Sequence, residues 1–117
     1  MLTGREVKEL LNSPFLKEHN RRIDQLGNAI LHLSPEVKAE CLQAMSDQAE
    51  KDRVRDLLYE GDCKDEEFLD QQTFEEYEEL GKRLPTWFPF LSSASLEDLK
   101  DYAYALMDWR MRKTQQN

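Results

Sequence analysis

Long apolar runs, clustered glycines, metal-ligand spacings and β-branched residues are all scarce in this sequence, and each scarcity removes a class of function. No apolar stretch approaches the ~18 residues needed to cross a bilayer, and residues 1–6 lack the apolar core of a signal peptide. The expectation is a cytoplasmic protein with no membrane contact. The four glycines stand alone at positions 4, 27, 61 and 81, so no segment is expected to wrap its backbone N–H groups around a phosphate.

Cys41 and Cys63 lack C-x-x-C spacing, and a chain of this length should fold without a disulfide. Both are read as reduced, with Cys41 in the core. There is no H-E-x-x-H, and neither His19 nor His32 has a glutamate three residues before it. The acidic run at 62–67 puts Lys64 where a calcium loop needs an oxygen ligand, and it lacks the central glycine. Neither a metal nor a cofactor is expected. With three valines, two isoleucines and four threonines, and no stretch of alternating apolar and polar residues, no strand is expected either.

What is present is 117 residues, 39% hydrophobic and 34% charged, enough for one core but not two. The pattern predicts an all-α fold: a compact bundle of four to six short helices with no sheet, forming a single domain over 1–117 with a frayed polar tail at 113–117. Thr3 and Glu6 have the capping-box spacing of a helix start, and residues 4–12 would turn Val7, Leu10 and Leu11 inward. Ser13-Pro14 and Ser34-Pro35 each read as an N-cap followed by proline at the first helical position. Between them Leu16, His19, Ile23, Leu26, Ile30 and Leu33 form one apolar stripe. Gly27 interrupts that helix at roughly 1 kcal/mol relative to alanine, which a close crossing or a kink would explain.

From Pro35 the series Val37, Cys41, Met45 and Ala49 is expected to continue toward Val54, Leu57 and Leu58. Gly61 is the expected left-handed stop. Whether this stretch is one helix or is split at Ser46-Asp47 stays open. Thr73 and Glu76 suggest a fresh helix start at Phe74, with Phe68, Leu69, Phe74, Tyr77 and Leu80 facing the core. Residues 84–91 hold two prolines and five Leu, Trp or Phe side chains, which predicts an apolar loop. Ser95 with Asp98 then opens the last helix.

The charge is unevenly spread. Residues 1–61 sum to -2 and residues 80–117 to +2, so the whole net charge of -8 resides in the 18 residues 62–79. The acids there are Asp62, Asp65, Glu66, Glu67, Asp70, Glu75, Glu76, Glu78 and Glu79. Like charges three and four residues apart weaken a helix, so folding alone does not ask for them; a solvated face that keeps the protein soluble is the competing explanation. Direct nucleic-acid binding by phosphate neutralisation is not expected of such a chain.

Chemistry has few candidates. Cys41 or Cys63 could pair with His19 or His32, but any protein with two of each permits that, and His19 on an apolar stripe reads as a hydrogen-bonded core residue. The protein is therefore expected not to be an enzyme. The leading expectation is a small acidic protein-binding module of the inhibitor, immunity or chaperone kind. It would dock a basic protein surface, such as that of a nucleic-acid-binding enzyme, through Asp65, Glu66, Asp70, Glu75, Glu76, Glu78 and Glu79, with Trp87 and Phe88 as an apolar anchor. The alternative is an assembly subunit of a larger complex that uses the apolar loop around Trp87, Phe88 and Phe90 as its contact. The rival role for that loop is to plug the end of the bundle.

Overall fold

A computed structural model of the chain describes residues 13–61 and 66–115. Among these residues there are four α-helices and no strand: α1 (Pro14–Leu31), α2 (Pro35–Glu60), α3 (Glu66–Trp87) and α4 (Leu96–Gln115), with a 3-10 turn at Pro89–Leu91 before the last. The predicted helix over 4–12, along with Asp62, Cys63, Lys64 and Asp65, lies outside the described residues.

The N-caps form as their chemistry requires. Ser13 Oγ accepts from the Leu16 N–H at 3.2 Å, Ser34 Oγ from Val37 at 3.4 Å and Ser95 Oγ from Asp98 at 3.1 Å, each satisfying a donor that the first turn leaves without a carbonyl. Between Pro35 and Glu60 there is one helix, unbroken at Ser46-Asp47.

α4 lies centrally, with α1 and α3 packed against it, and α2 packs chiefly on α3. The core joins Ile23, Leu26 and Ile30 of α1, Cys41, Ala44 and Met45 of α2, Leu80, Leu84 and Trp87 of α3, and Leu99, Ala103 and Leu106 of α4. Gly27 sits where α1 crosses Trp109, and Gly81 where α3 crosses the backbone of Leu99.

Several sequence expectations need correction. Residues 84–87 are helical rather than looped: Pro85 occupies the last turn of α3, where the chain is leaving the helix and only one backbone hydrogen bond is lost. Thr73 is interior to α3, and its hydroxyl donates to the Leu69 carbonyl at 2.8 Å instead of capping a new helix. Gly61 ends α2 in an extended conformation, not a left-handed one. α4 runs on through Gln115, so residues 113–115 are helix and not tail.

Phe68 and Phe74 are exposed, whereas Leu69, Tyr77 and Leu80 are buried, because Phe68 and Phe74 fall off the 69-77-80-84 phase. α2 departs furthest from expectation. Extending the Cys41 and Met45 face by turns of 3.6 residues leads to Gln48, Asp52 and Arg55, not to Val54, Leu57 and Leu58. Gln48 and Arg55 are indeed buried, and the three apolar side chains are exposed on the other side.

Candidate functional site

The polar face of α2 meets α3 in one internal network. Arg55 is 5% exposed; its guanidinium donates to Glu76 and, through Nη1 at 2.8 Å, to Asp52 Oδ1. Gln48 Nε2 donates to Glu76 Oε1 at 2.9 Å and to Asp52 Oδ1 at 3.1 Å, while the Tyr77 hydroxyl donates to Asp52 Oδ2 at 2.6 Å. Burial, and next the bond to the Asp52 carboxylate, hold the Tyr77 phenol far above its ordinary value. Tyr77 also stacks on Tyr104 of α4, centroids 4.2 Å apart, tying the network to the central helix.

This network withdraws Glu76 from the predicted docking set. Its carboxylate is turned inward and paired with Arg55, the one cation buried at the α2–α3 contact. Trp87 and Phe88 are withdrawn as well, being 2% and 1% exposed and locked into the core, because only there can a bundle of this size bury two large aromatic side chains. The segment 84–91 serves the core through Leu84, Trp87, Phe88 and Leu91. Phe90 is its one exposed aromatic side chain, and it packs edge-on against Tyr102. The apolar anchor expected at Trp87 and Phe88 is therefore absent from the surface.

The remaining acids do not form one face. Gln72, Glu75, Glu76 and Glu79 share the edge of α3 beside α2, at spacings of three, four and seven. Glu78 shares another edge with Phe74, near Leu96, Glu97 and Lys100 of α4, and helical spacing puts Glu67 on the same edge. Lys100 Nζ lies 4.2 Å from the centre of the Phe74 ring. Glu79 is paired with Lys82 at 3.0 Å on the surface, Glu75 accepts from Gln71 Nε2 at 3.1 Å, and Asp70 accepts from the Tyr59 hydroxyl. Glu66 is exposed in the first turn of α3, where the helix dipole favours it. Asp65 lies outside the described residues.

On the α2 side of the first of these α3 edges is a depression of about 210 Å³ lined by Val54 and Leu58 of α2 together with Glu50, Lys51, Arg55, Gln72 and Glu76. Val54 and Leu58, expected to continue the Val37, Cys41, Met45 and Ala49 series, are exposed here. The signal that would have found them is the helical phase of α2, whose two halves put their apolar residues on opposite sides.

A larger cleft of about 630 Å³ opens on the other flank of α2, where α1 and α2 diverge over α4. Tyr104, Met107 and Met111 form its floor, Phe15, His19 and Arg22 one wall, and Ala49, Arg53 and Asp56 the other. His19 Nε2 is 2.5 Å from Asp108 Oδ2, so this histidine is engaged with a carboxylate at the cleft edge. Cys41 lies fully buried in the core, and desolvation pushes its thiol up to about 11. Among the described residues no group of three or more His, Cys, Asp or Glu side chains is placed to hold a metal ion, and no helix is long and apolar enough to cross a membrane. Compared with protein-family models, curated proteins and solved structures, the chain matches none of them.

Proposed function

We infer that the protein is a non-enzymatic binding module that docks a basic surface of another protein on its α2–α3 hairpin. The observation that carries this reading is the 210 Å³ depression, where exposed Val54 and Leu58 lie with Glu50, Lys51, Gln72 and Glu76, and from which helical spacing continues the acidic edge of α3 to Glu75 and Glu79. A lysine or arginine from a partner has an aliphatic stem that fits Val54 and Leu58 and a charged head that fits the carboxylates. Beyond the local partners Gln71 and Lys82, folding does not ask for this arrangement: Glu75 lies three and four residues from Glu78 and Glu79, and the apolar pair stays in water. Glu67 and Glu78 add to the field that steers a basic partner from a distance.

The inhibitor, immunity and chaperone roles all use such a surface, and a basic nucleic-acid-binding enzyme is the partner type that fits it. Association would be fast at low salt and weaken steeply as salt rises, since exposed charges are screened within ~10 Å at 0.1 M.

The test compares three immobilised proteins in native lysate at low salt: the wild type, Glu75→Gln with Glu78→Gln and Glu79→Gln, and Val54→Ser with Leu58→Ser. A protein that the wild type retains, that elutes along a salt gradient and that both variants lose supports the reading. Identical capture by all three overturns it.

A further inference from the structure

The cleft on the other flank of α2 is separate from the hairpin surface and has a different chemistry. Its floor is aromatic and thioether, from Tyr104, Met107 and Met111, and Phe15 and Met111 stay largely exposed at its mouth. A volume of about 630 Å³ lies within the size range of small-molecule sites. Into this apolar surface projects Arg22, whose side chain is only 13% exposed.

Arg22 is held in place and left unsaturated. Its guanidinium lies 5.5 Å from the centre of the Tyr102 ring, and Tyr102 is in turn fixed by donating to Gln25 Oε1 at 2.6 Å. Nη2 is 3.8 Å from Glu18 Oε1 and 3.9 Å from Asp101 Oδ2, beyond hydrogen-bonding distance for both. Nε is sealed from solvent with no acceptor. A guanidinium carries five N–H donors, and none of these five is hydrogen-bonded among the described residues.

Two of the cleft's four carboxylates are engaged elsewhere. Asp52 is bound by Arg55, Gln48 and Tyr77, and Asp108 by His19. Asp56 and Arg53 line the α2 wall, Asp101 lies 3.9 Å from Arg22, and Arg110 adds a further cation from α4.

We propose that this cleft binds an amphipathic monocarboxylate, whose apolar tail lies on Tyr104, Met107 and Met111 and whose carboxylate accepts hydrogen bonds from Arg22. With Nε sealed, the Nη1 and Nη2 edge of the guanidinium can meet a carboxylate in two parallel bonds, and its cation–π contact with Tyr102 holds it before the ligand arrives. Methionines let the floor adapt to the tail's shape. The proposal does not depend on the hairpin reading, since no residue is shared between the two surfaces.

The probe is dodecanoate, titrated below its micelle concentration into the full chain and followed by calorimetry and by amide chemical shifts. Dodecan-1-ol and dodecyltrimethylammonium serve as arms that keep the tail and change the head. The expected result is one equivalent of dodecanoate, bound at least about tenfold tighter than either comparison ligand, with shifts centred on α1 and α4 around the cleft. Arg22→Gln is expected to reduce dodecanoate to the affinity of the alcohol and leave the alcohol unchanged. Met111→Glu alters an exposed residue of the cleft floor rather than the core, so it tests the site even where Arg22→Gln impairs folding; it should abolish dodecanoate binding. The proposal is overturned by equal affinity for the three head groups, by uptake of many equivalents without saturation, or by variants that bind as the wild type does.

Discussion

Gly81 of α3 lies directly on the backbone of Leu99 in α4: a Cβ at Gly81 would stand 2.9 Å from both the carbonyl carbon and the carbonyl oxygen of Leu99. This contact sets how closely the two helices that bury most of the core can approach. Gly81→Ala must push backbone apart, and it should destabilise the protein by about 1–3 kcal/mol in urea titration despite the better helix propensity of alanine. Gly27→Ala meets only the edge of the half-buried Trp109 indole, which can swing outward, so a loss of less than about 1 kcal/mol is expected. A larger loss at Gly27 than at Gly81 would contradict this account of the crossings.

Arg55 is the cation around which the α2–α3 contact is built. Arg55→Ala leaves Glu76 and Asp52, both half-buried, without their cation, and a loss of about 3 kcal/mol is expected in chemical denaturation. Adding Glu76→Gln to that variant should restore part of the loss, because the remaining amide can still accept from Gln48. Additive losses in the double variant would show that the two side chains do not act through each other.

Alkaline pH should unfold the protein earlier than its exposed groups require. Burial raises the Cys41 thiol from the ordinary 9.0 to about 11, and burial with the Asp52 hydrogen bond raises the Tyr77 phenol further still. The folded state holds these protons while the unfolded state releases them, so their stabilisation is complete below pH 9.0 and falls as pH rises toward 11. Urea midpoints measured from pH 7 upward should be flat and then decline, and Cys41→Ala should flatten the first part of that decline. In a Cys63→Ser background a thiol reagent at neutral pH should label Cys41 only as fast as the protein unfolds.

Glu75 repels Glu78 and Glu79 along one helix. Glu75→Gln removes both repulsions and keeps an oxygen for Gln71, so stability at low salt should rise by roughly 0.5 kcal/mol and the gain should shrink in high salt. If binding to a basic partner is lost while stability rises, the carboxylate serves recognition rather than folding. A stability loss would make it structural instead.

Local features were legible wherever a short-range rule decides them. The serine-proline caps, the apolar stripe of α1 and the helical character of every element follow from hydrogen-bond and periodicity rules that act within a turn or two. The site was less legible. Which carboxylates face outward depends on where Arg55 sits, and whether Trp87 and Phe88 fill the core or meet a partner depends on what the bundle leaves to fill.

By itself the sequence determined an all-helical chain, where three of its helices begin, and the confinement of its excess negative charge to residues 62–79. Only the tertiary structure decided how that charge is divided, which half of α2 keeps its apolar face against the core, and where α1 and α2 part to leave a cleft over α4. The physical reason is range: capping and helical phase are settled by neighbours a few residues away, whereas burial and charge pairing are settled by side chains distant in sequence that packing brings together.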